Sequence, residues 1–264
     1  MAHANDGFVR TVRINSEERL NPTGTVSNNF TVSLGQSTQL ADINRISIKS
    51  IGIPNTQYNI QSVGIHKNNV FSYTTAAGLR SVTITAGNYN MSQLILAIVS
   101  GAQPTADGLT IALGATSSKL TFTSTTPITY LNFAAGNIMA PTLGITASSA
   151  PLVNTFTAQG LPYLNVHPNI YVTSLALSDG SAMISPVIGS IPVCAVVPID
   201  QPFGNIIQYV TRQEHLDDIH YISYANGKTL QSIDLQLYDG DAQLIDMQGL
   251  DWTIVFRVYQ SPIN

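Results

Sequence analysis

The sequence predicts an all-β chain folded as a sandwich or jelly roll, and three observations carry that prediction. About ten short runs of alternating or β-branched residues are separated by turns rich in Gly, Pro, Asn and Asp. These runs do not alternate with helical segments, which disfavours a parallel α/β sheet. No unit of about 20–50 residues recurs, which disfavours propellers and solenoids. Nor does the second half repeat the first, which disfavours two jelly rolls in one chain. With 264 residues and 44% hydrophobic content the chain can bury a substantial core, so a single decorated domain is the expected organisation.

Taken in order, residues 8–14 alternate as Phe-Val-Arg-Thr-Val-Arg-Ile and are followed by a polar stretch over 15–29. That pattern predicts an extended N-terminal arm, residues 1–28, carrying one short strand. Asn29-Phe-Thr-Val-Ser-Leu34 has period two, with Phe30, Val32 and Leu34 on one face. Ile43, Ile46, Ile48, Ile51 and Ile53 predict a strand over 43–53 that Pro54-Asn55 closes. Strands are also expected at 70–74 and 81–85, around the turn Ala77-Gly78. One short helix is predicted near 90–101, because Asn90 suits an N-cap and Met91, Leu94, Ile95 and Ile98 recur at helical spacing. A hairpin over 109–113 and 119–123 precedes a long loop or small insertion, rich in Ala, Pro and Gly, near 127–162. Strand signals resume at 169–177, 192–197, 206–211, 232–238 and 252–259, with Asp239-Gly240-Asp241 as a turn before the last. Residues 29–264 are thus expected to form one domain.

Charge is the most unusual feature of the composition. Charged residues make up 10% of the chain, against roughly 25% in ordinary soluble proteins. From residue 120 through 199 the single formally charged side chain is Asp179. A dispersed monomer relies on charged surface, so this neutral, Thr- and Asn-rich exterior predicts contact with other subunits. The net charge of −4 argues against nucleic acid as the main partner, since phosphate binding needs clustered Lys and Arg. Arg10, Arg13 and Arg19 are a local basic excess near the N-terminus. No apolar run reaches the roughly 18 residues of a membrane span. The polar start, Met-Ala-His-Ala-Asn-Asp-Gly, does not resemble a signal peptide, and the lone Cys194 suggests reducing surroundings, so synthesis in the cytosol is expected.

Few residues of the sequence offer chemistry. His215-Leu-Asp-Asp-Ile-His220 could offer two imidazoles with Asp217 and Asp218 to zinc, but a strand would point the histidines to opposite faces. A polar loop is the favoured reading. Asp239, Asp241, Asp246 and Asp251 lack the alternating spacing of a calcium loop and read as turn residues. Cys194 lies among Ile191, Pro192, Val193, Ala195 and Val196, where a thiol behaves as a small hydrophobe with a raised pKa. Tyr163, Tyr171 and His167 could stack on a sugar, although tyrosines in a β chain more often fill cores and interfaces. No phosphate loop, nucleophile elbow or dinucleotide fingerprint occurs. The expectation is therefore no enzyme, no catalytic residue, no metal and no cofactor.

Three groups of strings, taken together, resemble the single jelly-roll vertex (penton) and minor capsid proteins of the adenovirus-like lineage of double-stranded DNA viruses. That lineage includes virophages, Polinton-type viruses and large algal and amoebal viruses. The first group is Asn29-Phe-Thr-Val-Ser-Leu34, the 43–53 strand and Ile53-Pro-Asn-Thr-Gln-Tyr-Asn-Ile60. The second is Gly87-Asn-Tyr-Asn-Met-Ser-Gln-Leu94. The third is Ser232-Ile-Asp-Leu-Gln-Leu-Tyr-Asp239, followed by Asp246, Gly249, Leu250, Asp251 and Trp252. Together they span roughly residues 10–125 and 165–260. The resemblance implies a single jelly-roll β-sandwich of two antiparallel sheets, with Gly87, Tyr89, Gly249 and Trp252 as fold-defining positions. It implies a homopentamer at icosahedral vertices, contacting the major capsid protein and minor capsid or cement proteins. It also implies a virion location after synthesis in the host cytoplasm or a viral factory. Phe8, Arg10, Arg13 and Arg19 would lie on an assembly arm inside the shell, and 127–162 would be a reduced form of an outward insertion. The alternatives are a jelly-roll carbohydrate-binding module of lectin or fibre-head type, and a cupin-type metal enzyme. A cupin would draw on His167, His215 and His220.

Overall fold

A computed structural model of the chain describes residues 9–18, 26–34, 40–64, 67–130, 138–147, 153–164, 167–177, 182–185, 189–210 and 221–260. Within them the chain runs through β1 (Val9–Asn15), a 3-10 turn at Ser16–Glu18, β2 (Asn29–Ser33) and β3 (Leu40–Pro54). It continues through β4 (Val70–Thr75), β5 (Gly78–Thr83), α1 (Met91–Val99) and α2 (Ala102–Ala106). β6 (Thr110–Leu113), β7 (Leu120–Tyr130), β8 (Val153–Thr157), β9 (Asn169–Thr173) and β10 (Ala182–Ser185) follow. The last strands are β11 (Gly189–Pro198), β12 (Ile206–Val210), β13 (Tyr221–Leu230), β14 (Ser232–Tyr238) and β15 (Thr253–Gln260). The fold is all-β with antiparallel pairing, a jelly-roll sandwich, as the periodicity predicted. None of the described helices is long and apolar enough to cross a membrane.

Two compact units divide the chain: residues 1–57 with 167–264, and residues 58–166. The sequence-based expectation was one domain over 29–264 with a loop near 127–162. The second unit, residues 58–166, holds β4 to β8 with α1 and α2, strands that read locally like any others. Sequence periodicity reports which face of a strand is buried, not which sheet it joins.

The first unit is the sandwich. Among the described residues one sheet has the order β1-β15-β3-β12, with β13 also paired to β3, and the other β10-β11-β9-β14-β2. Their inner faces share one core, in which Phe30, Val172, Leu235 and Leu237 meet the β3 isoleucines and Phe256. β3 shows how this core is built. Strict alternation cannot put Ile43, Ile46, Ile48, Ile51 and Ile53 on one face, yet all five are buried. The pairing with β15 skips Lys49, between Ser50 and Ile48, and Asn44, between Arg45 and Ile43. Each bulge resets the side-chain parity, so the apolar set stays inside while Lys49 and Asn44 face solvent.

Trp252 closes the sandwich just before β15. Its ring is 2% exposed and meets Phe30 edge-on, with centroids 5.9 Å apart. Its indole Nε1 donates to the Ser27 carbonyl at 2.6 Å, and its backbone N–H donates to Ser16 Oγ at 2.9 Å. Ser16 Oγ in turn donates to Asp251 Oδ1 at 2.6 Å. Side chain and backbone of Trp252, with Asp251 beside it, thereby tie the start of β15 to Ser16 and to the Ser27–Phe30 stretch. Three residues upstream, Gly249 adopts φ +79°, a left-handed value that glycine takes without Cβ strain.

In the second unit the sheet order among described residues is β5-β4-β7-β6, with β8 also paired to β7. Phe71, Tyr73 and Phe122 lie at its core, with the Phe71 and Phe122 rings stacked 6.0 Å apart. α1 starts at the expected N-cap: Asn90 accepts from the Gln93 N–H, and Gln93 Oε1 accepts from the Asn90 N–H, a capping box. Leu94 and Ile98 turn its apolar stripe onto the core. The sequence predicted one helix, but α2 follows directly. Five residues carry too little periodicity to be seen in advance. Gly87 pairs with Ile60 through two 3.0 Å backbone hydrogen bonds, and a Cβ there would lie 3.3 Å from the Tyr89 ring. Tyr89 is held by Asn59 on both backbone atoms and donates its hydroxyl to the Thr85 carbonyl.

Candidate functional site

Arg10 and Arg13, two of the residues expected on the assembly arm, lie on β1 with both side chains exposed. β1 pairs along the length of β15, from Val9 opposite Tyr259 to Asn15 opposite Thr253, so this stretch is a sheet strand. Phe8 and Arg19 lie outside the described residues, as do His215, Asp217, Asp218 and His220.

Two exposed apolar surfaces stand out. On the sandwich, β12 pairs among the described residues with β3 alone and leaves Ile206 and Val210 at 57% and 61% exposure. A strand that leaves apolar side chains exposed invites contact with another chain. On the second unit, Met91, Leu113, Leu161, Pro162 and Tyr163 line an open groove of about 340 Å³. Tyr163 is exposed there, whereas His167 is buried and offers no open ring face to a sugar.

Cys194 donates its thiol to the Val172 carbonyl at 3.3 Å. Burial, the largest cause, pushes the thiol up to about 12. A raised folded-state value favours the neutral form, so this contribution to stability is complete below the ordinary 9.0 and is lost as pH climbs towards 12. Ellman's reagent at about pH 8 is expected to leave the native thiol unmodified and to titrate one thiol per chain in denaturant. Rapid reaction of the folded protein would contradict this.

The described residues bring together one cluster that sequence reading missed. His167 sits just before β9, and Asp239 and Asp241 occupy the turn after β14. β9 and β14 are neighbours, with Tyr171 opposite Tyr238, so strand pairing joins their ends. Nε2 of His167 lies 3.5 Å from Asp239 Oδ2 and 3.8 Å from Asp241 Oδ2. One ligand atom from each of the three residues falls within 4.8 Å of the others. Asp239 also acts as the turn residue its context predicted, its Oδ1 accepting from the N–H groups of Asp241 and Gln243. Asp246 Oδ1 accepts from the Gln248 N–H in the same manner, and Asp251 binds Ser16. The turns were legible in sequence. The approach of His167 was not, because it depends on sheet order.

No protein-family model matches the chain, and no curated protein matches it. Among solved structures it is similar to the crystal structure of the mavirus penton protein, with a TM-score of 0.52 and 11% identity. The likeness covers 96% of this chain and 100% of that one. The fold is that of a viral penton protein. Because the coverage is nearly complete on both sides, this penton fold includes the second unit as well as the sandwich.

Proposed function

We propose that this chain is a capsid subunit of the penton type, forming a homopentamer at icosahedral vertices and contacting the major capsid protein and minor capsid or cement proteins. The observation that carries the proposal is the fold likeness to the mavirus penton protein over almost the whole of both chains. A charge content of 10% and the exposed apolar side chains of β12 support it. In this role the chain has no reaction to perform and works by burial. An interface of about 800 Å² per partner gains roughly 25 cal/mol per Å² of apolar area, much of it offset by ordering costs. Closed cyclic symmetry makes such modest contacts act together. Few ions need to be stripped of water at each seam, which suits a charge-poor surface.

Negative-stain imaging of the purified full chain, with a glycan-binding screen alongside, tests this function. Rings of five copies without glycan affinity are expected. A monomer or trimer that binds glycans would favour the carbohydrate-binding alternative and overturn the proposal.

A further inference from the structure

We propose that His167, Asp239 and Asp241 form a binding site for a divalent transition metal of the zinc class. The inference goes beyond the capsid role and does not depend on it. Its basis is the spacing of the donor atoms. N–H···O hydrogen bonds run at about 2.7–3.2 Å, and the two His167–carboxylate distances, 3.5 and 3.8 Å, are longer. Ligands bound at about 2.0–2.1 Å around a tetrahedral ion stand roughly 3.3–3.4 Å from one another. The observed spacing is closer to the edge of a coordination polyhedron than to an ion pair in hydrogen-bond contact.

Burial and support agree with this reading. The His167 side chain is 4% exposed, that of Asp239 14% and that of Asp241 35%, so an ion would be gripped from inside and reached from the Asp241 side. Asp239 Oδ1 is held by two backbone N–H groups at 2.9 Å, which fixes the carboxylate with Oδ2 towards the imidazole. Gly240 packs its backbone on the ring, since a Cβ there would come 2.9 Å from His167 Nδ1. Ligand and turn are therefore positioned before any ion arrives.

Donor chemistry selects the metal class. One imidazole and two carboxylates balance a divalent charge, and an imidazole favours zinc or cobalt over calcium, which takes six to eight oxygens. Three protein ligands leave a fourth position for water. The bound ion would tie the start of β9 to the end of β14, two strands of one sheet.

The test uses metal-stripped full chain titrated with zinc chloride and, separately, with cobalt chloride. Bound metal, cobalt visible absorption and the thermal midpoint are read. One ion per chain is expected, with tetrahedral cobalt bands and a midpoint raised by roughly 5–10 °C at a hundredfold excess over Kd. Asp241→Asn is expected to weaken binding at least tenfold while leaving the metal-free midpoint within about 2 °C. His167→Gln supplies the second variant. Absence of stoichiometric uptake would overturn the proposal. So would a zinc response that survives Asp241→Asn or His167→Gln.

Discussion

Replacing Trp252 with alanine is expected to lower the stability of the sandwich by about 3–5 kcal/mol, the range for removing a large aromatic from a core. Three losses combine. The cavity left by a side chain only 2% exposed cannot close fully, because Phe30 against it is fixed by its strand pairing and the rest of the core is packed. The edge-on contact with Phe30 disappears. The Ser27 carbonyl also loses its 2.6 Å donor. Trp252→Phe separates these terms, since it keeps an aromatic body and deletes the indole N–H, and a cost of about 1–2 kcal/mol is expected. Urea unfolding followed by circular dichroism measures both. The wild-type transition can also be followed by fluorescence, because this is the single tryptophan of the chain. A change below about 1 kcal/mol for the alanine variant would show that Trp252 does not organise the closing strand.

The second large effect is expected in the other unit, at Asp107. The Asp107 side chain is 9% exposed, accepts the Tyr73 hydroxyl at 2.8 Å and lies 3.5 Å from Arg80 Nε. Its backbone carbonyl also receives the Thr125 and Thr126 N–H groups, so the residue is fixed where two segments meet. Asp107→Ala leaves the fully buried Tyr73 hydroxyl without its acceptor and Arg80 without its counter-ion, at an expected cost of about 3 kcal/mol. Arg80 is about one-third exposed, so water screens its share and most of the loss belongs to Tyr73. Tyr73→Phe removes the hydroxyl that would be stranded. The double variant should therefore lose less than the sum of the single ones, and strict additivity in a double-mutant cycle would refute the coupling.

That pair also sets a pH dependence. Burial, the hydrogen bond to Asp107 and its charge, in that order, raise the Tyr73 pKa well above its ordinary 10.0. A raised folded-state value means that the folded chain favours the neutral phenol. The stabilisation is complete below pH 10.0 and is lost as pH rises beyond it. Alkaline unfolding should thus begin earlier in wild type than in Tyr73→Phe, relative to each protein's stability at neutral pH.

Local features of the fold were legible because local physics controls them. Phe30, Val32 and Leu34 alternate, and the structure buries Phe30 within β2 and Leu34 just after it. Asn90 and Gln93 announce a helix start through their hydrogen-bonding capacity alone. Ile43 to Ile53 announced a buried strand, but not the bulges at Lys49 and Asn44 that make one face of it, since these depend on the partner strand. The short strand around Arg10 and Arg13 was legible, but its partner was not, for the same reason: β15 lies at the other end of the chain. The second unit was missed because its strands alternate like those of the sandwich, and sheet membership is a long-range property. His167 illustrates the limit for sites. No spacing rule links it to Asp239 and Asp241, and the cluster exists only because β9 and β14 lie side by side.

In a penton-type subunit, as proposed, the charge-poor exterior serves contact between copies of the chain. Sedimentation velocity of the full chain at about 0.1 M and about 1 M sodium chloride tests it most directly, because salt weakens ionic contacts and spares apolar ones. A five-copy species that persists or strengthens at the higher salt is the predicted result. A monomer at both concentrations, or an assembly that dissolves as salt is added, would contradict the account.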